Sequence, residues 1–108
     1  MDLSEQKCVP CEVGGKPLDA EEAAFYSKDV PEWHVAAGGG KISRAFRFKD
    51  FKGAMAFANK VAALAEEEGH HPDMIIKYGE ADIELWTHAV GGLSVNDFIL
   101  AAKIDRLV

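Results

Sequence analysis

The sequence predicts an α+β fold in two layers, a four-stranded antiparallel sheet with helices on one face, in the order α-β-β-α-β-β-α. Three observations lead there. Apolar residues recur at helical spacing near the start, middle and end of the chain, and two pairs of segments with strand-like patterning lie between them. Each pair is joined by a short glycine-containing turn, Gly38-Gly39-Gly40 in one case and Gly79-Glu80 in the other, too short for a parallel crossover. At 108 residues the chain can bury one core but not two.

Residues 1–17, with Pro10, Gly14, Gly15 and Pro17, read as an N-terminal arm with few apolar anchors, dispensable to the single domain at 18–108. The first helix begins at Asp19, whose side chain can cap free amides while Glu22 reaches back to it, and Pro31 forbids its continuation. Trp33 to Ala37 is a short strand. In the next strand Ile42, Arg44, Phe46 and Phe48 share one face and Ser43, Ala45 and Arg47 the other, so the phenylalanines mark the core side. Asp50 caps the longest helix, where Phe51, Ala54, Ala58, Val61 and Ala65 form the apolar stripe and Gly69 supplies the stop. Phe57 and Leu64 lie off that stripe and suggest a second apolar surface suited to self-association.

Met74–Tyr78 and Ala81–His88 form the second hairpin, with Ile83, Leu85 and Thr87 on one face and Asp82, Glu84, Trp86 and His88 on the other. The last helix starts near Ser94, with Asp97 in a capping position. It buries Phe98, Ala101 and Ala102 or the offset set Leu100, Ile104 and Leu107.

A formal net charge of -6 argues against nucleic acid as a direct partner, since a phosphate-backbone binder normally carries a basic patch. No apolar run approaches the roughly 18–20 residues needed to span a bilayer, and no basic stretch precedes an apolar segment at the start, so cytoplasm is the expected location without membrane association. Cys8 and Cys11 are spaced C-x-x-C, but the strand-then-helix setting of a redox pair is missing and a structural zinc would need two further ligands.

The most informative residues are Glu66, His70, His71, Pro72, Tyr78, His88 and Asp97. Imidazole titrates nearest neutral pH, so a cluster of histidines can hold a proton donor and a proton acceptor together. Side chains of neighbouring residues on extended backbone diverge, so His70 and His71 address different points unless Gly69 bends the chain, and His88 approaches from another strand. The Glu66-Glu67-Glu68 run reads either as a solvated face or, through Glu66, as support for a charged imidazole. Asp97 is either a helix cap alone or also a site residue, and Trp86 either packing or a flat wall beside His88.

In its spacing this set resembles the signature of the pterin-4a-carbinolamine dehydratases. Trp33, the stretch Phe46-Arg47-Phe48-Lys49-Asp50-Phe51, the Thr87-His88 pair and Gly92-Leu93-Ser94 extend the likeness over roughly residues 18–108. The resemblance implies the same fold and a 4a-hydroxytetrahydrobiopterin dehydratase, a hydro-lyase acting on a pterin substrate. It implies His70, His71 and His88 as catalytic or orienting residues, with Glu66, Pro72, Thr87, Trp86 and Asp97 in support, and no metal or redox cofactor. It also implies a homodimer joined through the sheets, in some members a homotetramer. A coactivator-like, pterin-binding dimerisation protein is the alternative, and metal binding by the three histidines a third reading. The chain departs from better-known members at Gly69, where an acidic residue is frequent, and at Met74, where an aromatic is frequent.

Overall fold

A computed structural model describes residues 2–8 and 15–108. Helix α1 (Ala20–Ser27) starts as its sequence dictates: Asp19 accepts from the Glu22 amide at 2.8 Å and Glu22 accepts from the Asp19 amide at 3.0 Å. It ends before Pro31. Strand β1 is only His34–Val35, shorter than expected, because Gly38 and Gly39 adopt left-handed φ of 89° and 74° and the Ala36 amide already closes the turn onto the Lys41 carbonyl.

Strand β2 (Ile42–Arg47) leads to α2 (Phe51–Glu68), capped by Asp50 and stopped by left-handed Gly69, both as the sequence predicts. Its buried stripe is Ala54, Phe57, Ala58, Val61 and Ala65. Phe57 is 3% exposed, with its ring 4.6 Å from that of Phe46, whereas Phe51 is 50% exposed. The expected assignment of these two residues is therefore reversed: position 57 lies three residues after Ala54 and four before Val61, inside the core-facing stripe, whereas Phe51 sits at the helix's outer start. Leu64 also packs on the core, so neither residue makes a second apolar surface.

Strands β3 (Asp73–Lys77) and β4 (Glu80–Leu85) form the second hairpin. At its turn the Gly79 carbonyl accepts from the Phe48 amide at 2.8 Å, and a Cβ on Gly79 would meet the Phe48 carbonyl oxygen at 2.9 Å. The sheet order is β1-β2-β4-β3 with every pair antiparallel. Ile42, Phe46, Ala81, Ile83 and Leu85 line the covered face. The other face carries Ala45, Arg47, Ile75, Lys77, Glu80 and Asp82, laced by the ion pairs Arg47–Glu80 and Lys77–Asp82 at 3.2 and 3.3 Å. Strand β4 stops at Leu85 rather than at His88, since left-handed Gly91 folds the chain back, pairing Thr87 with Gly92 and leaving His88–Val90 in a 3-10 turn.

Helix α3 (Val95–Asp105) buries both sets of residues expected as alternatives apart from Leu107, which is partly buried. The N-terminal segment packs on it: Leu3–Glu5 forms a short 3-10 turn capped by Asp2, and Leu3 is 1% exposed within the core. Residues 2–8 are thus docked, and the expectation of an arm rather than packed structure is corrected there; among its few apolar residues one side chain suffices as an anchor but leaves no periodic signal. Leu3→Ala is expected to destabilise the fold by about 2–5 kcal/mol, read as a lower denaturant midpoint; an unchanged midpoint would remove Leu3 from the core. Among the described residues no helix is long and apolar enough to cross a membrane.

Candidate active site

Antiparallel register brings the histidines together. Asp73 pairs with Glu84, so the residues before Asp73 lie beside those after Glu84, setting His70-His71-Pro72 against Trp86-Thr87-His88. Between them opens a cleft of about 360 Å³, lined by all six of these residues together with Gly69, Asp73, Ala89 and Asn96. A larger hollow between α1 and the Ala36–Lys41 turn is mainly apolar, and its one acid, Asp19, is engaged in capping.

The two adjacent histidines diverge. Gly69, at φ 68°, turns the chain off α2 so that the largely buried His70 reaches α3, where its Nε2 lies 2.6 Å from Asp97 Oδ1. Asp97 is wholly buried, and its other oxygen accepts from Thr87 Oγ1 at 2.8 Å and from the Ser94 amide at 2.9 Å. A carboxylate only accepts, so His70 Nε2 carries a hydrogen toward it and Nδ1 is the nitrogen left for other chemistry. The single Thr87 hydroxyl hydrogen is likewise committed to Asp97, which makes Ser94 Oγ the donor in its 2.7 Å contact with Thr87. Asp97 thus makes two contacts at once, accepting from the Ser94 amide at the start of α3 and meeting His70 Nε2.

His71 turns outward, its Nε2 2.5 Å from Glu66 Oε2, with side chains 60% and 78% exposed. His88 stacks on Trp86 with ring centroids 3.7 Å apart, so Trp86 forms a flat wall at the cleft. Trp86 Nε1 donates to Asp73 Oδ2 at 3.3 Å. Asp73 and Asn96 line the cleft and Ser94 completes the hydrogen-bonded network, though sequence reasoning singled out none of the three as a site residue. Asp73 directly follows Pro72, and Asn96 precedes Asp97; adjacency was the only signal available. Among the described residues no group of three or more His, Cys, Asp or Glu side chains is arranged to hold a metal ion.

Behind the cleft, Glu68 departs from the solvated face expected of its acidic run. Its side chain is 5% exposed and paired with Lys103 Nζ at 2.7 Å, while Oε1 accepts from the Cys8 amide at 3.0 Å. Burial pushes the Glu68 carboxyl up, but the Lys103 hydrogen bond, the Cys8 amide and the charges of Lys103 and Lys7 outweigh it, leaving the group below its ordinary 4.5. With its folded value depressed, Glu68 contributes stability above the unfolded value, and this is lost as pH falls through the folded one. Glu68→Gln is therefore expected to cost stability at pH 7 and progressively less below the ordinary carboxylate range, read from urea midpoints; a penalty that persists unchanged in acid would contradict the ion pair.

Burial and the Glu68 charge push the Cys8 thiol up to about 12, so it is a poor nucleophile at neutral pH. Cys11, the other half of the C-x-x-C spacing, lies outside the described residues.

Residues 16–107 match the family described as pterin 4 alpha carbinolamine dehydratase. Among curated relatives, proteins provisionally named pterin-4-alpha-carbinolamine dehydratase from Halorhodospira halophila and Nitrosomonas eutropha are 44% and 48% identical, each over 99% of this chain and over 98% and 94% of their own lengths. A solved transcriptional coactivator/pterin dehydratase from Brucella melitensis superposes with a TM-score of 0.79 at 30% identity, covering 85% of this chain and 98% of that one. A pterin dehydratase-like RuBisCO assembly factor of the alpha-carboxysome superposes at 0.61 with 25% identity, covering 70% and 88%. The chain belongs to the pterin carbinolamine dehydratase family.

Proposed function

We propose that the protein dehydrates a 4a-hydroxytetrahydropterin to the quinonoid dihydropterin by histidine acid-base catalysis, supporting tetrahydropterin recycling. The observation that carries this reading is His70 held by buried Asp97 at the wall of a cleft that two further histidines share. In the reaction the C4a–O bond breaks and the hydroxyl, taking a proton, leaves as water. The N5 proton passes to a base, and the N–H electron pair becomes the second bond between N5 and C4a. Hydroxide is a poor leaving group, so the step gains from an acid at oxygen and a base at nitrogen.

His70 takes the role of base through Nδ1: Asp97 fixes its tautomer and stabilises the imidazolium as it forms. The acid is one of the two outer histidines, His71 beside Glu66 or His88 beside Trp86. Trp86 gives the flat pterin ring an apolar surface, while Pro72 and Thr87 bound the cleft. A stopped-flow assay on freshly generated 4a-hydroxytetrahydropterin tests the proposal: dehydration faster with protein than without it is expected, and equal rates would overturn it.

For the assembly we propose a homodimer formed through the sheet face that no helix covers, where Ile75 and Ala45 stand exposed among the ion pairs. Light scattering at the mass of two chains is expected, and a lone protomer at micromolar concentration would overturn this part.

A further inference from the structure

We propose that Glu68 is a positioning residue for the candidate site, holding the end of α2 against α3 so that His70 meets Asp97. This rests on the acid-base reading above and adds to it a residue that lies outside the cleft. His70 follows α2 by two residues, whereas Asp97 sits in the first turn of α3, so their 2.6 Å contact depends on how two separate helices are placed. A carboxylate at a helix C-terminus is electrostatically misplaced, yet Glu68 is buried there, and its oxygens are divided between two elements.

One oxygen pairs with Lys103 Nζ at 2.7 Å. Lys103 lies six residues beyond Asp97, about 9 Å further along the helix at 1.5 Å per residue. The Glu68 and His70 contacts therefore grip α3 at two separated points and fix its tilt as well as its distance. The other oxygen accepts from the Cys8 amide at 3.0 Å, while Cys8 Sγ lies 3.6 Å from the Asn96 carbonyl, one residue from Asp97. The contacts close a ring, from Asp97 through His70 to Glu68, across to Cys8, and back through Asn96. The docked N-terminal segment is part of the same fixture.

The test measures Lys103→Met and Lys103→Arg in the full chain. One readout is the downfield imidazole N–H proton resonance of His70, which reports its hydrogen bond to Asp97 without any turnover, and the other is steady-state dehydration. For Lys103→Met the resonance is expected to weaken or broaden and kcat to fall about 10-fold to 10²-fold with KM little changed, the scale of a small misplacement of a catalytic group. Lys103→Arg, which keeps the charge, is expected to restore both. An unaltered resonance in Lys103→Met overturns the proposal, even if thermal stability drops, because that is what a purely structural ion pair would give. If Lys103→Met does not fold, Lys103→Gln takes its place and is judged by the same resonance. A protein without dehydratase activity whose resonance still depends on Lys103 would refute the functional reading and leave the positioning role standing.

Discussion

Replacing His70 with alanine is expected to slow dehydration of a 4a-hydroxytetrahydropterin by about 10²-fold to 10⁴-fold, the range for one general acid-base group. The loss should fall on kcat, because the base role proposed for the imidazole acts on a proton in flight rather than on the resting pterin ring. His70 is largely but not wholly enclosed, and its removal also orphans one oxygen of Asp97, so a modest drop in denaturant midpoint accompanies the kinetic effect. Single-turnover rates separate the two: a variant that is folded, binds pterin and keeps its rate would remove His70 from proton transfer. His71→Ala and His88→Ala, measured in parallel, identify the acid as the variant with the larger loss.

Asp97→Asn is expected to have an effect of similar size by a different route. The wild-type carboxylate accepts from His70, Thr87 and Ser94 together. An amide of the same shape can accept on only one side; if its carbonyl serves Thr87 and the Ser94 amide, its NH₂ faces His70 Nε2 and forces that nitrogen to become the acceptor. Nδ1 then carries the hydrogen and cannot take another from the substrate. A wrong tautomer with intact geometry has cost about 10⁴-fold in the serine protease triad, and a loss of at least about 10²-fold is expected here. Asp97→Ala goes further, leaving buried donors without any acceptor at about 1–3 kcal/mol each. A folded Asp97→Asn variant with the wild-type rate would show that the tautomer of His70 is immaterial.

What the sequence disclosed followed from local chemistry. Asp19 with Glu22, Asp50 and Gly69 announced their helix ends through capping, and alternation placed Phe46, Ile83 and Leu85 on the core face. The spaced histidines pointed to one site, and register then accounts for their meeting. Hidden were features that depend on tertiary partners. Asp97 could be assigned as a cap from its neighbours, but its hold on His70 required knowing how α2 and α3 pack. Glu68 looked solvated within an acidic run because its cover comes from Lys103 and a backbone amide some sixty residues away in sequence. Leu3 is a single apolar residue in a polar start, and burial of one side chain writes no period into a sequence. The early end of β4 came from Gly91, whose left-handed turn overrode the strand-like alternation through His88.

The second hairpin behaves as a ruler whose zero is set at its tip. Five residue pairs separate the Gly79 turn from the cleft, from Lys77–Glu80 to Asp73–Glu84. A side chain on Gly79 would collide with the Phe48 carbonyl, so the tip is keyed to the neighbouring strand at a fixed count. One residue inserted there would put β3 half a period out of phase, turning Ile76 toward water and Ile75 toward the core. The His70-His71-Pro72 segment would arrive one step early against Trp86 and His88. The geometry of the candidate site at one end of the molecule is thus indexed by a glycine at the other, which lies outside the cleft and carries no functional group.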